Sequence, residues 1–247
     1  MGLWRDLLNA GGTGGLNWHV HAHGSVKRWQ PTIAMIDGFL AQVTPQHKHL
    51  VLIGGSAGWM MSHAWLTRFE TIDAYDIDPM APWLFNWRHG RALQKRGVAL
   101  HHHRSDALVH LSDVLQQHPQ AFVWFDNVLG QHRYRIRDEA RVEQELSALK
   151  NTLQGRSWGS LHDWLSGPVE LNKTPAALAP LMRKNITPAM IDDPLMQQLL
   201  QSVGAHTAWS DHLTQVVLPA DTPTHLMPWA FRPNYWHWLQ AGWQVPR

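Results

Sequence analysis

Apolar residues along this chain fall into two rhythms. Short unbroken runs at 49–53 (HLVLI), 71–75 (TIDAY), 97–100 (GVAL) and 121–125 (AFVWF) read as buried strands. The segments between them, 57–68, 79–95 and 106–117, have helical length. Pro79 falls where a first-turn proline belongs, and Ser105 or Asp106 is placed to cap the third of these helices. Strand and helix in alternation predict βαβ units, hence an α/β fold with a doubly wound, mostly parallel sheet. Upstream, Pro31 is predicted to open a helix that carries Ile33, Ile36, Phe39, Leu40 and Val43 on one face. Downstream come a polar helix at 138–153 and a fifth strand near 156–161.

The rhythm stops at 168–202, a stretch with five prolines and two helix-like pieces, PAALAPLMRKN and DPLMQQLLQSV. It reads as a helical insertion over the sheet. The tail offers a strand-like HLTQVVLP and a Trp-rich segment that includes Trp229, Trp236, Trp238 and Trp243. GGTGG at 11–15 reads as a flexible surface loop.

Composition narrows the function classes. With no cysteine there is no disulfide framework, thiolate metal site or cysteine nucleophile. A net charge of +2 and the lack of any basic run argue against a nucleic-acid partner. No apolar run approaches a membrane span, and Asp6 stands where a myristoylation motif wants Ser or Thr. The expectation is a cytoplasmic protein with no membrane partner. Among the 18 histidines, His19, His21 and His23 would share one side if extended, and of His101–His103 only the outer two would. Neither cluster has a zinc motif, so no metal is expected.

The stretch LVLIGGSAGW carries the chemistry. A glycine turn between the first strand and first helix of such a sheet brings backbone N–H groups up to a ligand. It lacks the Gly-Lys-Ser/Thr ending of a nucleoside-triphosphate loop, since it ends Gly58-Trp59-Met60. It meets the dinucleotide fingerprint only at Gly54, because Ser56 and Trp59 occupy the other two glycine positions.

With Gly54, Gly55, Ser56 and Gly58, the turn resembles that of the class I S-adenosylmethionine-dependent methyltransferases, whose pattern is Gly-x-Gly-x-Gly. The resemblance spans about residues 48–165. It implies the Rossmann-like methyltransferase fold, with S-adenosyl-L-methionine as cofactor. By the same resemblance Asp76 would accept the ribose hydroxyls, Ile77 would pack on the adenine, and Asp106-Ala107 would lie near the adenine amino group. Asp126 and Asn127, after the fourth strand, would sit where methyl donor and acceptor meet. The chain departs from the pattern at Leu52, where an acidic residue is usual, and at Ser56.

The domain plan that follows is a single unit, 1–247. It has an N-terminal helical extension (1–47), a cofactor-binding core (48–165), an insertion or lid (166–204) and C-terminal strands (205–247). His162, expected just past the fifth strand, is the candidate general base, with Asp126 as a second catalytic candidate. His132, Tyr134 and Trp229 are candidates for contact with a small-molecule acceptor. The turn after the fourth strand lacks the Asp/Asn-Pro-Pro-Tyr/Phe motif of nucleic-acid amino-methyltransferases. LIGGSAG and DIDP also echo aminopropyltransferases of the spermidine synthase type, which use the decarboxylated cofactor. A non-catalytic relative that serves a protein partner is the third reading.

Overall fold

The computed structural model describes residues 14–136, 138–169, 178, 180–184, 194–204 and 209–246. β1 (His49–Ile53), β2 (Thr71–Asp76) and β4 (Phe122–Asp126) form at the predicted apolar runs, whereas β3 (Ala99–Arg104) begins only at the end of GVAL, continues through His101–His103 and buries none of its six residues. β1 shows why such runs do not alternate. Leu50 and Leu52 enter one core while Val51 and Ile53 enter the other, so both faces are apolar. β5 (Trp158–Pro168) pairs parallel to β4, and then the direction changes. β8 (Pro223–Arg232) and β9 (Tyr235–Gln244) form a hairpin whose second strand runs antiparallel to β5. The strand order is β3-β2-β1-β4-β5-β9-β8-β6, with β6 (Leu181–Lys184) at one edge and β7 (Ser210–Asp211) paired to β5.

The chain runs outward from β1 to β2 and β3, then returns to place β4 on the other side of β1. Order reverses there, and a crevice opens beyond the carboxyl ends of those two strands, where open α/β sheets bind ligands. Helix α1 (Leu16–Gln42) crosses over the far hairpin. Its Thr32 hydroxyl donates to the Pro228 carbonyl at 2.9 Å, and its Arg28 Nε donates to the Ala230 carbonyl at 3.1 Å.

Several expectations need correction. α1 starts at Leu16 and holds Pro31 in its interior, so His19, His21 and His23 lie on a helix and do not line one side of an extended segment. Gly14 and Gly15 are docked: the Gly15 N–H donates to Asp78 Oδ2 at 3.0 Å. The rest of GGTGG lies outside the described residues. Only His63–Leu66 of the 57–68 segment is helical, and the helix expected from 106 begins at Leu111. The 79–95 helix runs from Ala81 to Lys95 through a π turn at Asn86–Gly90. In the insertion, Pro194–Ser202 is a helix, but Leu181–Lys184 is a strand on β8 and the rest of PAALAPLMRKN is mostly outside the described residues. HLTQVVLP is not a strand, because Leu213 takes a left-handed φ of 60° and a 3-10 turn follows at Thr214–Val216. No helix among the described residues is long and apolar enough to cross a membrane.

Candidate active site

The glycine turn is shaped by contacts on both flanks. The Gly54 N–H continues the β2 ladder, donating to the Tyr75 carbonyl at 2.9 Å. Gly54 has φ +75°, and a Cβ there would stand 2.5 Å from Val128 Cβ, so no side chain fits. Ser56 holds a left-handed φ of 47° despite its side chain. Its N–H donates to Asp76 Oδ2 at 2.7 Å, and its hydroxyl accepts from the Trp18 indole of α1 at 3.2 Å.

Asp76 closes β2. Its Oδ1 accepts the Asp78 N–H at 2.8 Å, so each carboxylate oxygen holds one backbone donor and keeps a lone pair free. Burial pushes its pKa up to about 6, against the pull of those two donors. Asp126, at the end of β4, is pushed up to about 7 by burial and by the neighbouring Asp76 charge. Asn127 follows with φ +53°; its Oδ1 accepts the Asp163 N–H at 2.9 Å, which ties the β4 turn to β5.

These groups converge on one open cleft of about 1090 Å³ counting its mouth. It is lined by Gly54, Gly55, Ser56, Asp76, Ile77, Asp106, Ala107, Asp126 and Asn127, with Trp18 and Trp229 also against it. Gly58 is not among the lining residues and packs instead beneath, where a Cβ would meet His89 Nε2 at 2.5 Å. Leu52 also points away: fully buried, it belongs to the core on the other side of Gly55. Asp106 reaches the cleft, but its carboxylate is held by Arg135 and by the Leu108 N–H.

Three acceptor-side candidates lie elsewhere. His132 Nε2 is bonded to Glu145 at 2.8 Å, and Tyr134 stands exposed with its ring edge-on to His212. His162 lies inside β5, fully buried, and does not line the cleft. Its Nε2–H donates to Gln240 Oε1 at 3.1 Å and its Nδ1 accepts from the Ser160 hydroxyl at 2.7 Å. No lone pair remains for a substrate proton, and burial lowers its pKa to about 4.

The strand period decides which neighbour faces the cleft. Leu161 lines the cleft, so Asp163 shares its face and His162 takes the other. Asp163 Oδ1 accepts from His237 Nδ1 at 2.8 Å. That leaves His237 Nε2 buried and without a partner. The His237 ring lies 5.0 Å from Trp229, which lines the cleft, and Leu239 on the same face of β9 lines it too. Sequence reasoning missed His237. Its only trace is the period-two string YWHWL, which does not reveal a carboxylate 74 residues upstream.

A second buried relay fixes α1 beside the cleft. Asp78 accepts from His19 Nε2 at 2.7 Å, and His19 Nδ1 accepts from the Trp59 indole at 3.1 Å. Both ring nitrogens of His19 are thereby bonded.

No family model matches this sequence, and no curated protein matches it. Solved structures are similar in fold at low identity. An N-methyltransferase from Bradyrhizobium japonicum WM9 in complex with S-adenosyl-L-homocysteine is 12% identical, over 97% of this chain and 96% of that one, with a TM-score of 0.38. A SAM-dependent methyltransferase from Anabaena variabilis is 8% identical over 93% of each chain, with a TM-score of 0.42. A geranyl diphosphate C-methyltransferase from Streptomyces coelicolor A3(2) is 12% identical over 87% and 77%, at 0.37. All three scores fall below one half, so the cleft itself has to carry the function.

Proposed function

We propose that this protein transfers a methyl group from S-adenosylmethionine to a small-molecule acceptor. The observation that carries the reading is Asp76: a half-buried carboxylate at the end of β2, beside the glycine turn, with a lone pair free on each oxygen. Two ribose hydroxyls can donate to it at once. The charge of the cleft agrees, because Asp76 and Asp126 are half-buried carboxyls with raised pKa values and, among the described residues, no basic side chain bonded to either. A cationic ligand would stabilise their ionised forms.

In this reading Gly54 and Gly55 bring bare backbone to the methionine end, Ile77 packs on the adenine, and Asp106 turns from Arg135 toward the adenine amino group. Asp126 and Asn127 border the place where donor and acceptor meet, and Trp229 forms the wall on the acceptor side. The cofactor supplies an activated methyl on a sulfonium whose sulfur keeps the bonding electron pair as the methyl leaves. The protein's share is positioning, plus removal of the acceptor's proton. His237 does not itself line the cleft; oriented by Asp163 through Nδ1–H and packed against Trp229, which does, it is the base this reading assigns, with Nε2 as the accepting atom.

Calorimetric titration with S-adenosylmethionine, its decarboxylated form and S-adenosylhomocysteine tests the reading. Binding of the methionine forms supports methyl transfer, and preference for the decarboxylated form supports aminopropyl transfer. No binding of any of them overturns both and favours a non-catalytic role. Once an acceptor is found, His237→Gln should lower kcat by roughly 10²–10⁴-fold with the cofactor Kd unchanged, and His162→Gln should not. Equal losses in the two variants would remove His237 from the mechanism.

A further inference from the structure

On the face of the sheet away from α1, the first half of β1–β3 carries a polar cluster that the cleft does not use. Asp73 of β2 lies at its centre, with its carboxylate only 8% exposed. His103 Nε2 bonds to Asp73 Oδ1 at 2.6 Å, and His49 Nε2 bonds to Asp73 Oδ2 at 2.7 Å. His118, just before β4, turns its Nδ1 toward the same Oδ2 at 3.9 Å, beyond hydrogen-bond reach. Its other nitrogen, Nε2, is held by the Tyr75 hydroxyl at 2.8 Å. The Tyr75 ring in turn stacks on His103, with centroids 4.4 Å apart.

We infer that this cluster is a binding site for a divalent transition metal ion of the zinc class, with His49 Nε2, Asp73 Oδ2 and His118 Nδ1 as ligands. These atoms lie within 4.8 Å of one another. Zinc bonds of about 2.0–2.1 Å in a tetrahedron set ligand atoms about 3.3 Å apart. The observed 2.7 Å and 3.9 Å bracket that spacing on the two edges that meet at Asp73 Oδ2. Two imidazoles and one carboxylate suit zinc, nickel or copper and are a poor set for magnesium or calcium.

The outer groups are also in place. His103 donates to the carboxylate oxygen that would not bind the ion, and the Tyr75 hydroxyl accepts from His118 Nε2–H, which keeps the Nδ1 lone pair directed inward. His49 is 32% exposed, which leaves an approach for the ion and a fourth position for water. The Asp163–His212–His237 group lacks this openness. Both nitrogens of His212 are already bonded, to the Gly130 carbonyl and the Ser166 hydroxyl.

The test uses the full chain without a histidine tag. It combines calorimetric titration with Zn2+, visible absorption with Co2+ and thermal melting with each ion. One Zn2+ per chain, an intense tetrahedral Co2+ band and a raised Tm are expected. His118→Ala should weaken Zn2+ binding at least tenfold and abolish the band. Tyr75→Phe keeps every ligand and should weaken binding about tenfold. The absence of stoichiometric binding in the wild type would overturn the proposal. So would a site that persists in His118→Ala but disappears in His237→Ala, because the ion would then sit in the other cluster. None of these readouts depends on methyl transfer.

Discussion

Asp126 ends β4, half-buried, and Asp163 lies buried in the adjacent β5, yet their charges are treated in opposite ways. Burial raises Asp126 to about 7, and the nearby Asp76 charge adds to the rise. Burial acts on Asp163 too, but His237 and then His212 outweigh it and hold its carboxyl below the ordinary range. One carboxylate has its partner within the fold. The other lines an open cleft, where the Trp124 indole offsets the effect of burial only in part. A buried acid with a raised pKa marks a site whose counter-charge arrives from outside, whereas a lowered one marks a pair completed during folding.

The sharpest way to break this contrast is Asp163→Asn. Removing one partner of a buried pair should cost about 3–5 kcal/mol, read from urea unfolding at pH 7. A cost below 1 kcal/mol would mean that the pair is not formed. Next comes Asp76→Ala, which should weaken S-adenosylmethionine binding more than about 100-fold by calorimetry, since two bonds to a charged group are lost.

Asp126→Asn should act in the opposite sense to Asp163→Asn. The neutral form of Asp126 contributes stability that is fully present below its unfolded pKa of 3.8 and is lost as pH rises through about 7. The ligand-free variant should therefore exceed the wild type at alkaline pH by an amount on the order of a few kcal/mol, with the gap closing in acid. Melting curves between about pH 5 and about pH 8.5 would show it. Asp163 has the reverse sign: its stabilisation is present above 3.8 and is lost as pH falls through its depressed value. The smallest effect belongs to Arg135→Ala. Freeing Asp106 from a partly exposed ion pair should tighten cofactor binding by no more than about fivefold.

The strands β1, β2 and β4 were legible because they are short apolar runs between turn signals, and β3 was legible only at its start, because His101–Arg104 are polar. Their carboxyl ends then placed Gly54, Ser56, Asp76, Asp126 and Asn127 around one cleft. β5 was not legible to its full length. Ten of its eleven residues are buried, so it has no alternation to read, and which face His162 and Asp163 take depends on a register set by β4 and β9. The start of α1 was obscured by HVHAH, whose period-two look suits a strand. His19 is helical and buried because Asp78 and Trp59 satisfy both of its nitrogens, 59 and 40 residues away. Likewise Asp73, His49 and His118 share no local motif: the β1–β2 pairing brings the first two together, and the turn before β4 brings His118 to them.

The contacts between α1 and the β8 hairpin also set a schedule. Arg28 and Thr32 bond to carbonyls 202 and 196 positions later in the chain. At a synthesis rate of about 5–20 residues per second, the ribosome needs about 10–40 s to cover that interval. Until then the helix has no hairpin to lie on, and Trp229, the wall of the cleft beside His237, does not exist. A newborn chain thus carries its glycine turn and Asp76 early, and gains Trp229 and His237 among the last pieces made.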